Sequence, residues 1–342
     1  MPAAPQHTVA MAFVLSAVQA LQGPARRQAL QAAGIAPALL DNPRARVPAA
    51  AFAALWLAVA QALDDEFFGL DARRMKVGSF ALLCHAVAGQ ATVERALRLA
   101  LRGFGLFLDK VQAGLDVRPG EAALVIANTI ADPQARRFAD ETLLVMLHGL
   151  LCWLAGRRVA LRALELAHPA PAHAEEYRRM FSPVLAFDRP ATRALFDPAV
   201  LSARVAVDDA GLKRFLREAP QSVILKQVDD SGLAQRLRRR LRRGADWPAL
   251  DAVAAELGLS PATLRRRLAE EGCHWQQLKD ELRRDLAIHH LAQGRLSVAD
   301  VATRLGFAEP SAFHRAFRQW TGGAPGDYRP VGAFAQQPRA DP

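Results

Sequence analysis

Apolar positions along the chain repeat with two different periods, and the changes of period mark out its elements. Val93, Leu97, Ala100, Leu101, Phe104, Phe107 and Leu108 recur at helical spacing, with Glu94, Arg95, Arg98 and Arg102 on the opposite side, so an amphipathic helix is expected there. Val111, Ala113, Leu115 and Val117 then alternate with Gln112, Gly114, Asp116 and Arg118, and Pro119-Gly120 turns the chain into an apolar run over residues 122–127. This predicts a strand, a tight turn and a second strand. Residues 133–156 read as a helix, with Asp132 as its N-cap and proline at its first position. Its run over 143–155, interrupted by His148, is shorter than a membrane span requires and reads as a buried core helix. Short strands near 162–167 and 183–187 make the N-terminal part α+β, with at least three strands.

The C-terminal hundred residues carry only helical periods, and those repeat. Val253-Ala254-Ala255-Glu256-Leu257-Gly258 returns 48 residues later as Val301-Ala302-Thr303-Arg304-Leu305-Gly306. In each copy a short helix ends at a glycine, which tolerates the positive φ of a C-cap, and a second helix starts within a few residues. Ser260 and Pro261 open the second helix of the first copy, where Leu264 and Leu268 face inward and Thr263, Arg265, Arg266 and Arg267 outward. In the second copy a helix from about Pro310 turns Phe313 and Phe317 inward and offers Ser311, His314, Arg315 and Arg318. A helix over 275–293, with Leu278, Leu282, Leu286 and His289 or His290 at helical spacing, joins the two copies. Its length of roughly 27 Å suits two reading helices placed in major-groove segments about 34 Å apart.

Length and charge sharpen this picture. A chain of 342 residues is long for one core, so two domains are expected, and 51% hydrophobic against 23% charged residues excludes a wholly disordered protein. The formal charge is +10, mostly from arginine, and residues 231–330 hold 17 Lys and Arg against 11 Asp and Glu. The segment Arg236-Leu237-Arg238-Arg239-Arg240-Leu241-Arg242-Arg243 begins that concentration. A polyanionic partner follows, with the 236–243 run, both second helices and Arg283-Arg284 as counterion-displacing groups. The expected organisation is a domain over 1–225, a linker over 226–232, a helical domain over 233–331 and a flexible tail over 332–342.

Other chemistries are weakly supported. The apolar stretch at 9–18 has no Lys or Arg before it, only His7, and is not read as a secretory signal. Cys84, Cys152 and Cys273 are too few and too dispersed for a disulfide framework, which points to the cytoplasm. His148 and Cys152 lie four apart on an apolar helix without a third ligand, and Cys273-His274 and His289-His290 lack the spaced partners of a zinc site, so no metal is expected. There is no glycine-rich phosphate loop and no GxSxG nucleophile, hence no cofactor and no enzyme.

The C-terminal block resembles the DNA-binding domain of AraC/XylS-type transcription regulators. The resemblance is carried by Ser297-Val298-Ala299-Asp300-Val301-Ala302-Thr303-Arg304-Leu305-Gly306-Phe307, by Ser311-Ala312-Phe313-His314-Arg315-Ala316-Phe317-Arg318-Gln319-Trp320-Thr321-Gly322, and by Pro325, Tyr328 and Arg329. Residues 26–216, above all Lys76-Val77-Gly78-Ser79-Phe80 and Ala91-Thr92-Val93-Glu94-Arg95-Ala96-Leu97, are similar more loosely to the AraC-type arabinose-binding-region domain of ornithine-utilisation-type regulators. That inherited name does not make arabinose the ligand. The resemblance implies an α+β N-terminal effector domain followed by an all-α DNA-binding domain with two helix-turn-helix units joined by a linker helix. It implies double-stranded promoter DNA, an unidentified small-molecule effector, RNA polymerase and a second copy of the chain as partners of a cytoplasmic activator. The family's base-reading positions fall on Ala262, Arg265 and Arg266 and on Pro310, Ser311, His314 and Arg315. Ala262 and Pro310 have no side-chain donor, so discrimination is expected from Arg265, Arg266, His314 and Arg315, with Arg267 on phosphate. Two alternatives stay open: an effector-independent DNA-binding protein whose N-terminal domain only dimerises, and an enzyme in that domain.

Overall fold

A computed structural model describes residues 7–225, 233–243, 247–270 and 273–329. The expected linker at 226–232 and tail at 332–342 lie outside the described residues. In chain order the elements are β1 (Thr8–Ala10), α1 (Met11–Ala17), α2 (Gly23–Ala32), β2 (Arg46–Pro48), α3 (Ala49–Leu63), α4 (Ser79–Ala88), α5 (Val93–Phe107), β3 (Val111–Arg118), β4 (Glu121–Asn128) and α6 (Pro133–Leu154). They continue with β5 (Leu161–Glu165), α7 (Ala174–Met180), β6 (Leu185–Ala186), β7 (Thr192–Phe196), α8 (Asp209–Glu218) and α9 (Gln221–Leu225). The last helices are α10 (Leu233–Arg243), α11 (Leu250–Glu256), α12 (Pro261–Glu270), α13 (Trp275–Gln293), α14 (Val298–Arg304) and α15 (Pro310–Thr321).

The contacts divide the chain into two compact units, and the division is not one cut in sequence. One unit, the sheet unit, comprises residues 12–33 and 52–228; the other, the helical unit, comprises 1–11, 34–51 and 229–342. The composition change near 229 coincides with one of the joins, but no feature of composition sets residues 34–51 apart from their neighbours.

The sheet unit is α+β. Its five strands run in the order β3-β4-β7-β5-β6, antiparallel except for the parallel pair β5 and β6. The expected hairpin forms, with Val111 opposite Asn128 and Arg118 opposite Glu121, and Gly120 takes φ +79° in the turn. The strands expected near 162–167 and 183–187 are β5 and the two-residue β6. β7 adds a strand that the sequence pattern did not yield, although Thr192, Ala194 and Phe196 alternate inward. α6 forms the middle of this core: Asp132 Oδ1 accepts from the Ala135 N–H at 2.7 Å, and every residue from Phe138 to Leu154 is buried. His148 and Cys152 hold backbone. The His148 Nε2 lies 2.7 Å from the Val159 carbonyl and the Cys152 thiol sulfur accepts from the Val159 N–H, so both side chains fasten the approach to β5.

Within the helical unit, α10 to α13 share one core of Leu237, Leu241, Val253, Leu264, Leu268 and Leu278. Phe313, Phe317, Val301, Leu291 and Tyr328 are buried in its second half. The ribbon β1–β2, with Val9 opposite Val47, belongs to the same unit and packs on α13. Arg46 donates from Nε to Thr8 Oγ1 and from Nη2 to the Thr8 carbonyl, and Thr8 Oγ1 donates to Asp285 Oδ1 at 2.7 Å. Arg284 donates to the same Asp285 oxygen through both Nε and Nη2. This overturns one expectation: Arg284 is 8% exposed and tied to Asp285, so it does not face a polyanion. Arg283 lies over the rings of Trp247 and Phe307, 4.7 and 5.3 Å from their centroids, and serves the packing of the unit.

Candidate nucleic-acid interface

The repeated sequence folds into repeated backbone. The N–H of Leu259 donates to the Ala254 carbonyl at 2.9 Å, and 48 residues later the Phe307 N–H donates to the Ala302 carbonyl at 3.0 Å. Gly258 and Gly306 donate to Ala255 and Thr303 in the same way, with φ of +64° and +76°. Each glycine is needed for that left-handed turn. At Gly306 the turn is also tightly covered, since a Cβ there would lie 2.7 Å from Trp247 Cδ1, whereas Gly258 has open space.

Capping fixes where the following helices begin. Ser260 Oγ accepts from the Thr263 N–H at 3.1 Å, as expected of an N-cap. Ser297 and Asp300 form a reciprocal capping box at α14. The serine and hydrogen-bonded N–H of Ser297 hold the Asp300 carboxyl below the usual carboxylate range. α12 starts at Pro261 and α15 at Pro310, so the offset between copies grows from 48 to 49 residues across the turn.

That offset of 49 brings the candidate residues into correspondence. Leu264 and Leu268 are buried, as are Phe313 and Phe317 at the matching positions. On the outward side Ala262 matches Ser311, Arg265 matches His314 and Arg266 matches Arg315, and all six are exposed. Positions i, i+3 and i+4 form one stripe on a helix, so each copy presents the same three-residue stripe to solvent. Arg318 is exposed and extends the α15 stripe by one step. Arg267 is exposed but matches Ala316, off the stripe. Thr263 is half-buried, and its Oγ1 lies 2.8 Å from Ser260 Oγ, which commits it to the cap.

Most of these groups are electrostatically available. Among the described residues Arg265, Arg267, Arg315 and Arg318 have no carboxylate partner. Arg266 has one: its Nη1 is 2.6 Å from Glu270 Oε1, a pairing one helical turn apart that the i, i+4 spacing permits. Both side chains are more than half exposed, so the pair is worth only a few tenths of a kcal/mol and yields readily to a stronger acceptor. The 236–243 run is partly spent, since Arg238 reaches Glu281 and Arg240 reaches Glu256. The sequence pattern missed Thr8 and Arg46, which no local signal connects to α13. The 19 residues of α13 span about 28 Å between the two helix pairs.

Residues 23–205 match the family described as the arabinose-binding domain of AraC transcription regulators, and residues 253–330 match a helix-turn-helix domain. The ornithine utilization regulator of Pseudomonas aeruginosa is 30% identical over 323 residues, covering 94% of this chain and 95% of its own length. The chain belongs to the AraC family of transcription regulators. An uncharacterised HTH-type transcriptional regulator of Mycobacterium tuberculosis is 31% identical over 357 residues, with 96% and 97% of the two chains covered. The regulator VirS of the same species is 30% identical over 185 residues, 53% of this chain and 54% of its own. All three are named as regulators and none as an enzyme. In this AraC-family chain the helix-turn-helix match covers nearly all of α11 to α15, and DNA binding in transcription regulation is the shared function. No helix among the described residues is long and apolar enough to cross a membrane.

Proposed function

We propose that α11–α12 and α14–α15 are two helix-turn-helix units that read successive major-groove segments on one face of promoter DNA. The observation that carries this is the stripe repeated at an offset of 49 residues, Ala262, Arg265 and Arg266 in one copy and Ser311, His314 and Arg315 in the other. Arginine in such a stripe pairs with guanine O6 and N7, while Ala262 and Pro310 contribute at most apolar contact to a thymine methyl. Arg267 and Arg318, at the edges, meet phosphate and set affinity rather than sequence. α13 fixes the distance between the units.

The sheet unit, on this reading, is the effector-sensing and dimerisation part of a cytoplasmic regulator that acts on RNA polymerase as a dimer. The Pseudomonas relative is named for ornithine utilization. Selection of bound duplexes from random DNA by the full chain tests the reading. Each protomer is expected to enrich two short conserved blocks about 10 bp apart on one face, and enrichment of a single block would refute the two-unit assignment.

A further inference from the structure

The sheet unit contains a cavity of about 190 Å³. Trp56, Leu57, Val77, Phe80, Met146 and Val223 give it apolar walls from α3, the segment before α4, the start of α4, α6 and α9. Its mouth is apolar too, because Leu57 and Val77 are 48% and 51% exposed. Among the lining residues only Glu66 bears a charge, and Gln61 is the one other polar side chain.

Glu66 is held firmly in this wall. Its Oε1 accepts from the Gly78 N–H and its Oε2 from the Phe80 N–H, each at 2.8 Å, and the Trp56 indole N–H donates to its main-chain carbonyl at 3.0 Å. One N–H on each oxygen leaves each with a free lone-pair direction. A fixed carboxylate facing an apolar cavity is matched best by a ligand that brings the opposite charge and N–H donors. The volume sets the size: a cavity of roughly 150 Å³ accepts the six heavy atoms of benzene, so this one accommodates a body of about eight heavy atoms.

We propose that this cavity binds a small organic ammonium compound, its apolar body against Trp56, Phe80 and Met146 and its ammonium donating to Glu66. The proposal rests on the reading of the sheet unit as effector-sensing and names the chemical class of the effector. It disfavours free amino acids, because their carboxylate meets Glu66 and no cationic side chain among the lining residues. It also supplies a route for the signal. Leu216, Ala219, Pro220 and Val223 line the cavity on the segment that runs through α9 toward residue 229, where the helical unit resumes. Val223 rests directly on α6, since a Cβ on Gly149 would lie 2.8 Å from its Cγ1 and 2.9 Å from its carbonyl oxygen. A ligand therefore bears on the residue that seats α9.

Calorimetric titration of the full chain with 2-phenylethylammonium, 2-phenylethanol and phenylacetate tests this with probes of nearly equal size. The ammonium is expected to bind at least tenfold more tightly than the alcohol, and phenylacetate not measurably. Glu66→Gln should bring ammonium and alcohol to within a factor of three, and Ala81→Trp, which fills the cavity from its rim, should abolish binding of both. Circular dichroism confirms that each variant is folded; if Glu66→Gln is not, Ala81→Trp together with the charge preference of the native chain decides. Equal affinity for ammonium and alcohol, undiminished ammonium binding in Ala81→Trp, or no binding of any probe overturns the proposal and leaves the effector reading to another site. Ammonium binding that leaves affinity for an enriched DNA site unchanged keeps the cavity as a binding site and refutes its role as the effector site.

Discussion

Asp285 neutralises two buried cations, and replacing it with asparagine isolates that role. The side chain keeps its shape, and Thr8 still finds an oxygen to donate to. Arg284 and Arg46, however, 8% and 7% exposed, lose their counter-charge. Breaking a buried ion pair from one side costs about 3 to 5 kcal/mol. Asp285 retains 14% of its side-chain exposure, which places Asp285→Asn at the low end, about 3 kcal/mol. The loss should appear in the helical unit alone. Hydrogen exchange of peptides from α13 is therefore expected to accelerate roughly 150-fold, while peptides from α6 in the sheet unit serve as the internal control. The pH dependence has a definite sign. Burial pushes the Asp285 carboxyl up, but Arg284, Arg46 and the Thr8 hydroxyl outweigh it and hold the group below its ordinary value. Its stabilisation is then complete above the unfolded carboxylate range near pH 4 and is lost as pH falls through the folded value. The protection of α13, corrected for intrinsic exchange, should decline in acid for the native chain and much less for Asp285→Asn. Acceleration below threefold at neutral pH, or equal acceleration in α6, would refute the assignment of Asp285 as the counter-charge.

Four further outcomes follow from the same geometry. Arg266→Ala and Arg315→Ala should each cost about 1 to 3 kcal/mol on an enriched site and relax preference at one or two base pairs about 10 bp apart, whereas Arg267→Ala should weaken all sequences alike in a library of single-base variants. With Arg267 and Arg318 as the exposed arginines proposed to meet phosphate, the two reading helices should contribute a slope of about −2 per protomer to log K against log salt, and Arg267→Ala should make it shallower by about one unit, measured by fluorescence anisotropy. Gly258→Ala should cost about 1 kcal/mol for its positive φ, and Gly306→Ala measurably more because Trp247 must also move, as read by thermal unfolding. A fragment of residues 233–329 should be helical by circular dichroism because the core of α10 to α13 is internal to it, yet its α13 should exchange faster than in the full chain, since Thr8 and Arg46 are gone.

Much of the fold was legible because its signals are local. The Asp132 cap, the Pro119-Gly120 turn, the glycine-ended helices and the inward Leu264, Leu268, Phe313 and Phe317 each follow from residues within about five positions of one another. The candidate reading residues share that property, because a helix face is fixed once its period and its cap are known. What escaped is held by distant partners. Thr8 meets Asp285 across 277 positions, and three-residue strands such as β1 and β2 are too short to show a period. Arg284 was misread for the same reason: its neighbours in sequence say charged helix, and only the arrival of Thr8 and Arg46 makes that position interior. The cavity beside Glu66 is assembled from five helices and two connecting segments, none of which signals a pocket alone.

The arginines show why net charge locates a nucleic-acid partner only coarsely. In the C-terminal hundred residues the same side chain performs three physical tasks. Arg284 is buried against Asp285, Arg283 lies on Trp247 and Phe307, and Arg238 and Arg240 pair with Glu281 and Glu256. These groups have already exchanged water for protein, and a phosphate must compete with the partners they hold. Arg265, Arg267, Arg315 and Arg318 remain hydrated, so a phosphate or a guanine edge displaces only water and counterions. Arg266 stands between the two classes. Its bond to Glu270 is exposed on both sides, and exchanging that carboxylate for a stronger acceptor forfeits only a few tenths of a kcal/mol. Glu270 then lies beside the reading stripe as a repulsive neighbour for any phosphate that approaches out of register. If Arg266 reads a base as proposed, Glu270 favours that docking over one in which Arg266 merely meets the backbone.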